Sequence, residues 1–132
     1  VAPTEDETLS RMTVVTIGND ATIEQIIKQL NKLVDVVKVM DMTSGEHIER
    51  EMLLIKVSVE TTELKEEIKR LSDIFRAKIL DVTDTTYTIE MTGKGEKLDA
   101  FINVLKQAEI LEVVRSGVIG IGRGKNYIRL DN

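Results

Sequence analysis

The strongest constraint on the fold is an alternation of apolar and polar side chains over residues 50–59. One face of this segment carries four branched apolar side chains: Leu53, Ile55, Val57 and Val59. The opposite face carries Leu54, Lys56 and Ser58. A repeat of two residues is the period of a β-strand that is buried on one face. The residues after this strand match a complete module, whereas those before it match only the second half of one.

The pattern after residue 59 predicts a helix, a two-stranded hairpin, a second helix and a final strand. The apolar stripes of the two helices begin at Leu64 and Leu98, and the hairpin turns at residues 83–85. Together with the strand at 50–59 this gives the order β-α-β-β-α-β. That order is typical of a ferredoxin-like module, in which two helices cover one face of an antiparallel sheet.

The pattern before residue 50 predicts only a strand over 9–17, a helix and a strand over 36–42. The helix has Asn19 or Asp20 as its N-cap and carries an apolar stripe from residue 23 to residue 34. In the ferredoxin-like order these two strands are not neighbours, so they cannot close a core by themselves. We therefore expect a further β-α-β segment, of roughly 35–40 residues by the usual size of such a unit, to precede Val1.

The predicted fold class is α+β, with two ferredoxin-like βαββαβ modules of which the first is incomplete. The predicted boundaries follow the breaks in the pattern: a first module over 1–43, a linker over 44–49, a second module over 50–124 and a tail over 125–132. The glycine run at 117–124 favours a flexible exit into the tail. It does not match a phosphate-binding loop, because Asn126 stands where Ser or Thr would coordinate magnesium.

Composition disfavours several classes of function. A net charge of −5 argues against nucleic-acid binding, and no apolar run approaches the roughly 20 residues that span a bilayer. The chain has no cysteine, so it has no disulfide and no thiolate nucleophile, which fits a reducing cytoplasm. His47 is the only histidine, and one histidine without cysteine cannot form a structural zinc site. The sequence predicts no catalytic site and no metal site.

Seven segments, in collinear order over nearly the whole chain, resemble the regulatory (small) subunit of acetolactate synthase, also called acetohydroxyacid synthase. They are residues 1–6, 9–13, 26–36, 49–51, 74–83, 97–101 and 114–117. The resemblance implies an ACT domain followed by an ACT-like domain, without catalysis of its own. It also implies a cytoplasmic protein that activates the catalytic (large) subunit and makes it subject to feedback inhibition by valine, in branched-chain amino acid biosynthesis.

The resemblance further implies a homodimer formed through the ACT domains and no cofactor bound by this chain. Thiamine diphosphate, FAD and magnesium would belong to the catalytic subunit. The family's effector loop falls in the segment expected before Val1, so we expect the chain as printed to bind valine weakly. A stand-alone ACT-type sensor of an amino acid, serving another biosynthetic enzyme, is the alternative function.

Five residues are candidates for site roles on the basis of this resemblance. Ala2 and Gln25 correspond to positions tied to the valine response. The favoured alternatives are a small packing residue near an interface for Ala2 and an ordinary exposed helix residue for Gln25. Arg115, Ser116 and Gly117 are candidates for contact with the catalytic subunit, with a strand-terminating turn as the alternative.

Overall fold

The computed structural model describes residues 1–6 and 8–129. It divides into two compact units, which are Arg50–Val118 and Val1–Glu49 together with Ile119–Asn132. In chain order the helices and strands are β1 (Ala2–Pro3), β2 (Ser10–Arg11), α1 (Asp20–Asn31), a 3₁₀ turn (Met42–Ser44), β3 (His47–Ser58), α2 (Thr62–Ile74), β4 (Lys78–Val82), β5 (Thr86–Gly93), α3 (Gly95–Leu105), β6 (Glu109–Arg115) and β7 (Ile119–Gly122).

The second unit has the predicted α+β fold of a ferredoxin-like module. Its strands are antiparallel in the order β4-β5-β3-β6, so that β3 pairs with β5 on one side and β6 on the other. Ile55, at the centre of β3, lies opposite Ile89 of β5 and Val113 of β6. The first and second strands of the module, β3 and β4, are therefore separated by β5, as the ferredoxin-like order requires.

The core of the second unit lies between the sheet and the two helices α2 and α3. The predicted inward face of β3 is buried, with relative exposures of 0–1% at Leu53, Ile55, Val57 and Val59. The helices contribute side chains from one face each, including Ile68 from α2 and Phe101 from α3. Burying a side chain of this size stabilises the fold by about 1.5–3 kcal/mol. The alternation at 50–59 therefore fixes which face of the sheet the helices cover.

The helix starts follow from local hydrogen bonding. The Asn19 side chain accepts a hydrogen bond of 2.9 Å from the Thr22 N–H at the start of α1, which confirms the predicted N-cap. The Thr61 hydroxyl accepts one of 3.1 Å from the Leu64 N–H at the start of α2. Both side chains satisfy a backbone donor that has no partner inside its helix.

The predicted strands of the first unit are mostly absent. Within 9–17 only Ser10–Arg11 is a strand, paired with Ala2–Pro3, and the segment 36–42 leads into the 3₁₀ turn without pairing. Apolar residues of these two predicted strands are exposed, with values of 71% at Val15, 97% at Ile17 and 63% at Val37. The physical reason is that no strand among the described residues lies between these two segments to exchange hydrogen bonds with them.

The prediction of a flexible glycine exit is wrong. Residues 119–122 form β7, which pairs with β3, and the Gly120 carbonyl accepts a hydrogen bond of 2.8 Å from Arg11 Nη2. Residues 119–124, predicted to belong to the second module, therefore lie in the first compact unit. β3 also begins at His47, three residues before the predicted strand and inside the predicted linker.

Replacing Leu53 with Ala tests the inward face of β3. The leucine is 0% exposed, so we expect its truncation to lower the free energy of unfolding by about 2–5 kcal/mol, as buried leucines do. Urea denaturation followed by circular dichroism measures the change. The control is Leu80→Ala. Because Leu80 is 52% exposed on β4, its truncation should lower the free energy of unfolding far less. Equal losses in the two variants would contradict this assignment of the faces.

Candidate functional site

A buried carboxylate lies at the edge of the second unit's core. Glu51 shares the inward face of β3 with Leu53 and is only 7% exposed. A buried ionised group is costly unless it is paired and hydrogen-bonded, so the surroundings of Glu51 must compensate its charge.

Arg115, at the end of β6, supplies that compensation. Its Nη2 lies 2.7 Å from Glu51 Oε1 and its Nε lies 3.2 Å from Glu51 Oε2, which is a bidentate pair. The third nitrogen, Nη1, donates a hydrogen bond of 2.6 Å to Oδ1 of Asp99 on α3. One guanidinium group thus joins the central strand, an edge strand and a helix of the second unit.

The two residues after Arg115 complete the cluster with backbone groups and the Ser116 hydroxyl. The Gly117 N–H donates a hydrogen bond of 3.1 Å to Glu51 Oε2, and Gly117 has a φ of +82°, a conformation that favours glycine. Ser116 Oγ accepts a hydrogen bond of 2.9 Å from the Met52 N–H, and the Ser116 N–H donates one of 3.0 Å to the Met52 carbonyl. The segment 115–117 is therefore fixed to the interior of β3.

The cluster lies against the start of α3. A methyl group added at Gly95 would lie 3.8 Å from Arg115 Nη2 and 3.9 Å from Glu51 Oε1. The N-cap residue Lys94 makes no side-chain hydrogen bond to the helix. A carboxylate close to a helix N-terminus is stabilised by the partial positive charge there.

The ion pair sets the protonation state of the cluster. Hydrogen bonds from Arg115 lower the pKa of Glu51; burial opposes this effect, and the charge of Arg115 and the Gly117 N–H add to it. The hydrogen bonds to Glu51 and Asp99 raise the pKa of Arg115 in turn. Both groups are therefore charged at neutral pH. A carboxylate with a lowered pKa is a poor general base. The cluster therefore has a structural role, which is to hold β3, β6 and α3 together.

The structure brings together three of the five candidate residues. Arg115 is the last residue of β6, Ser116 and Gly117 follow it directly, and the Arg115 side chain remains 32% exposed. Sequence reasoning missed Glu51 and Asp99. The available signal was a glutamate at an inward-facing position of the alternation, directly before the apolar row.

The other two candidate residues lie in the first unit. Ala2 is exposed in β1, where it pairs with Arg11, and Gln25 is exposed on α1. Among the hydrogen bonds and ion pairs of the described residues, none joins Ala2 to Gln25.

The described residues were also compared with the requirements of a metal site and of a membrane span. His47 Nε2 lies 3.1 Å from Glu49 Oε2, and residues 1–6 and 8–129 contain no group of three or more His, Cys, Asp or Glu side chains that could hold a metal ion. In the same part of the chain, no helix is both long and apolar enough to cross a membrane.

Comparison with known proteins gives a consistent family for both units. The family described as the small subunit of acetolactate synthase matches residues 50–124, and the AHAS small subunit-like ACT domain matches residues 1–38. The acetolactate synthase isozyme 3 small subunit of Salmonella typhimurium is 50% identical over 98% of this chain and 79% of its own length. The acetolactate synthase small subunit of Haemophilus influenzae is 53% identical over 97% of this chain and 78% of its own length.

A solved structure gives the same result. The crystal structure of the acetolactate synthase small subunit from Thermotoga maritima superposes with a TM-score of 0.74 at 47% sequence identity. The superposition covers 83% of this chain and 68% of that one.

Replacing Glu51 with Gln tests the cluster through the pH dependence of stability. Because the native pKa of Glu51 is lowered, the ionised carboxylate stabilises the fold at neutral pH, and this contribution is lost as the pH falls through that native pKa. At pH 7 we expect the variant to be less stable by about 2 kcal/mol, since Arg115 loses its charged partner but stays partly solvated. Below about pH 4.3, the ordinary pKa of a glutamate, the difference should shrink.

Urea denaturation between pH 3 and pH 7 measures this difference. The control is Glu67→Gln, which removes a surface ion pair with Arg70 on α2 and should change the midpoint little. A Glu51→Gln variant whose deficit is the same at every pH would contradict the role given to the ionised carboxylate.

Proposed function

The chain belongs to the family of acetolactate synthase small subunits, and on that premise we propose that it is a non-catalytic regulatory subunit of this enzyme. The observation that carries the proposal is the collinear match over 98% of the chain to a curated small subunit. The match includes both the ACT-domain region and the second module. A shared fold alone would not support a function, because ferredoxin-like modules serve many.

The proposed partner is the catalytic (large) subunit of acetolactate synthase, whose activity this chain raises. Thiamine diphosphate, FAD and magnesium belong to that partner in the proposal, and this chain binds none of them. The word subunit in the names of the relatives supports an assembly of this kind. The proposal includes a homodimer through the ACT domains and a cytoplasmic location.

The proposed effector is valine, bound by the ACT-domain region with Ala2 and Gln25 at or near the site. Valine favours one of two arrangements of the regulatory subunit, and the catalytic subunit responds to that arrangement. A coupling of this kind is worth about 1–3 kcal/mol. The segment 115–117 is the proposed contact with the catalytic subunit, supported by its fixed backbone and by the 32% exposure of the Arg115 side chain.

Acetolactate formation by the catalytic subunit, with and without the full-length protein, tests the proposed function. We expect the addition to raise the rate and to make it sensitive to valine, by a factor of about 5 or more if the coupling is typical. The control is the catalytic subunit with valine alone. The absence of both activation and valine sensitivity would contradict the proposal. Calorimetric titration with other amino acids tests the alternative, since tight binding of an unbranched amino acid would favour a sensor for another enzyme.

A further inference from the structure

The residues that follow the second module return to the first unit. The chain leaves the first unit after Glu49 and re-enters it at Ile119. Residues 119–126, here called the clasp, contain β7 and the turn after it. We infer that the clasp holds the segment 45–48, through which the chain passes to the second module, and that the effector response depends on this hold. The second part of the inference rests on the proposed function.

The clasp binds Glu46 through three hydrogen bonds. The Glu46 carbonyl accepts one of 2.9 Å from the Arg123 N–H and one of 3.3 Å from the Asn126 side chain. Arg123 Nη1 also lies 2.6 Å from Glu46 Oε2. Both side chains of this ion pair are more than two-thirds exposed, so the charge contributes little to the hold. The hold therefore comes mainly from the strand pairing and the backbone hydrogen bond.

The other edge of the clasp binds the N-terminal hairpin region. Arg11 Nη2 donates a hydrogen bond of 2.8 Å to the Gly120 carbonyl, and the Gly120 N–H donates one of 3.3 Å to Thr13 Oγ1. Ala2, one of the candidate effector residues, pairs with Arg11. A continuous chain of contacts thus runs from the hairpin that contains Ala2, through the clasp, to the segment before Arg50.

The glycines of the clasp are required to different degrees. A Cβ at Gly120 would lie 2.5 Å from Cε and 2.9 Å from Sδ at the flexible end of Met42, which can move aside, and at an ordinary contact distance of 3.7 Å from the Ile48 carbonyl. A Cβ at Gly122 would overlap the backbone carbonyl of Asn126, which cannot move without opening the turn closed by the Asn126 N–H and the Arg123 carbonyl. Gly122 is therefore essential to the clasp, and Gly120 is a matched control on the same strand.

Effector occupancy in the first unit reaches the second module through the chain that connects them. The chain connects the two units twice, after Glu49 and after Val118. The clasp orders the segment before the first connection and itself follows the second. A segment held by few buried side chains has low local stability, so one strand can determine whether it is ordered. If the clasp opens, occupancy of the effector site no longer biases the residues before Arg50.

Hydrogen exchange and valine inhibition, both measured on the full-length protein in complex with the catalytic subunit, test the inference. In Gly122→Ala we expect the amides of residues 46–49 and 119–123 to exchange about tenfold faster, which is a loss of about 1.4 kcal/mol of local stability. The amides of residues 53–57 should be unchanged. The valine concentration for half-inhibition should rise by about fivefold or more. Gly120→Ala should change both quantities much less.

A double variant provides an independent test in case Gly122→Ala does not fold. Arg123→Ala with Asn126→Ala removes side-chain contacts to Glu46 without a backbone clash, and it should shift both quantities in the same direction by a smaller factor. Unchanged exchange at 46–49 in Gly122→Ala would overturn the clasp. Faster exchange with unchanged inhibition would overturn its role in the response. If the unmodified protein shows no valine inhibition, the proposed function fails, while the exchange data still decide whether the clasp exists.

Discussion

The antiparallel pairing of β3 with β5 and β6 is the interaction on which the second unit depends. It places Leu53, Ile55 and Val57 on the side that the helices cover, while Lys56 remains on the open side. A shift of the strand by one residue would bury the lysine and expose the whole apolar row, so the register is strongly specified. Glu51 continues the inward row beyond the apolar residues, and its pair with Arg115 makes that continuation tolerable.

The second unit was predictable from the sequence because both its alternations and its pairing partners lie within the chain. The N-cap at Asn19 was predictable because it depends on neighbouring residues only. The strands over 9–17 and 36–42 have a strand pattern, but a strand also needs a partner, and the described residues provide none for most of their length. A strand requires both a local alternation and a pairing partner. The predicted strands of the first unit have the alternation but, for most of their length, no partner among the described residues.

The features that sequence reasoning missed depend on contacts between distant residues. Glu51 and Arg115 are separated by 64 positions, and Arg123 reaches back 77 positions to Glu46. Neither pair leaves a local signature. The glycine run resembles a flexible tail because it has few side chains, yet Gly122 is the residue that lets the backbone fold back on Asn126. The family membership supports the proposed function, which the arrangement of charged groups alone would not have identified.

In the proposed function, valine and the catalytic subunit bind this protein in a coupled way. The most direct test is the dissociation constant of valine for the full-length protein, measured by calorimetry without and with saturating catalytic subunit. Linkage requires each ligand to change the affinity of the other by the same factor, which should be about fivefold or more. Equal valine affinities in the two titrations would contradict the claim, however tight the binding.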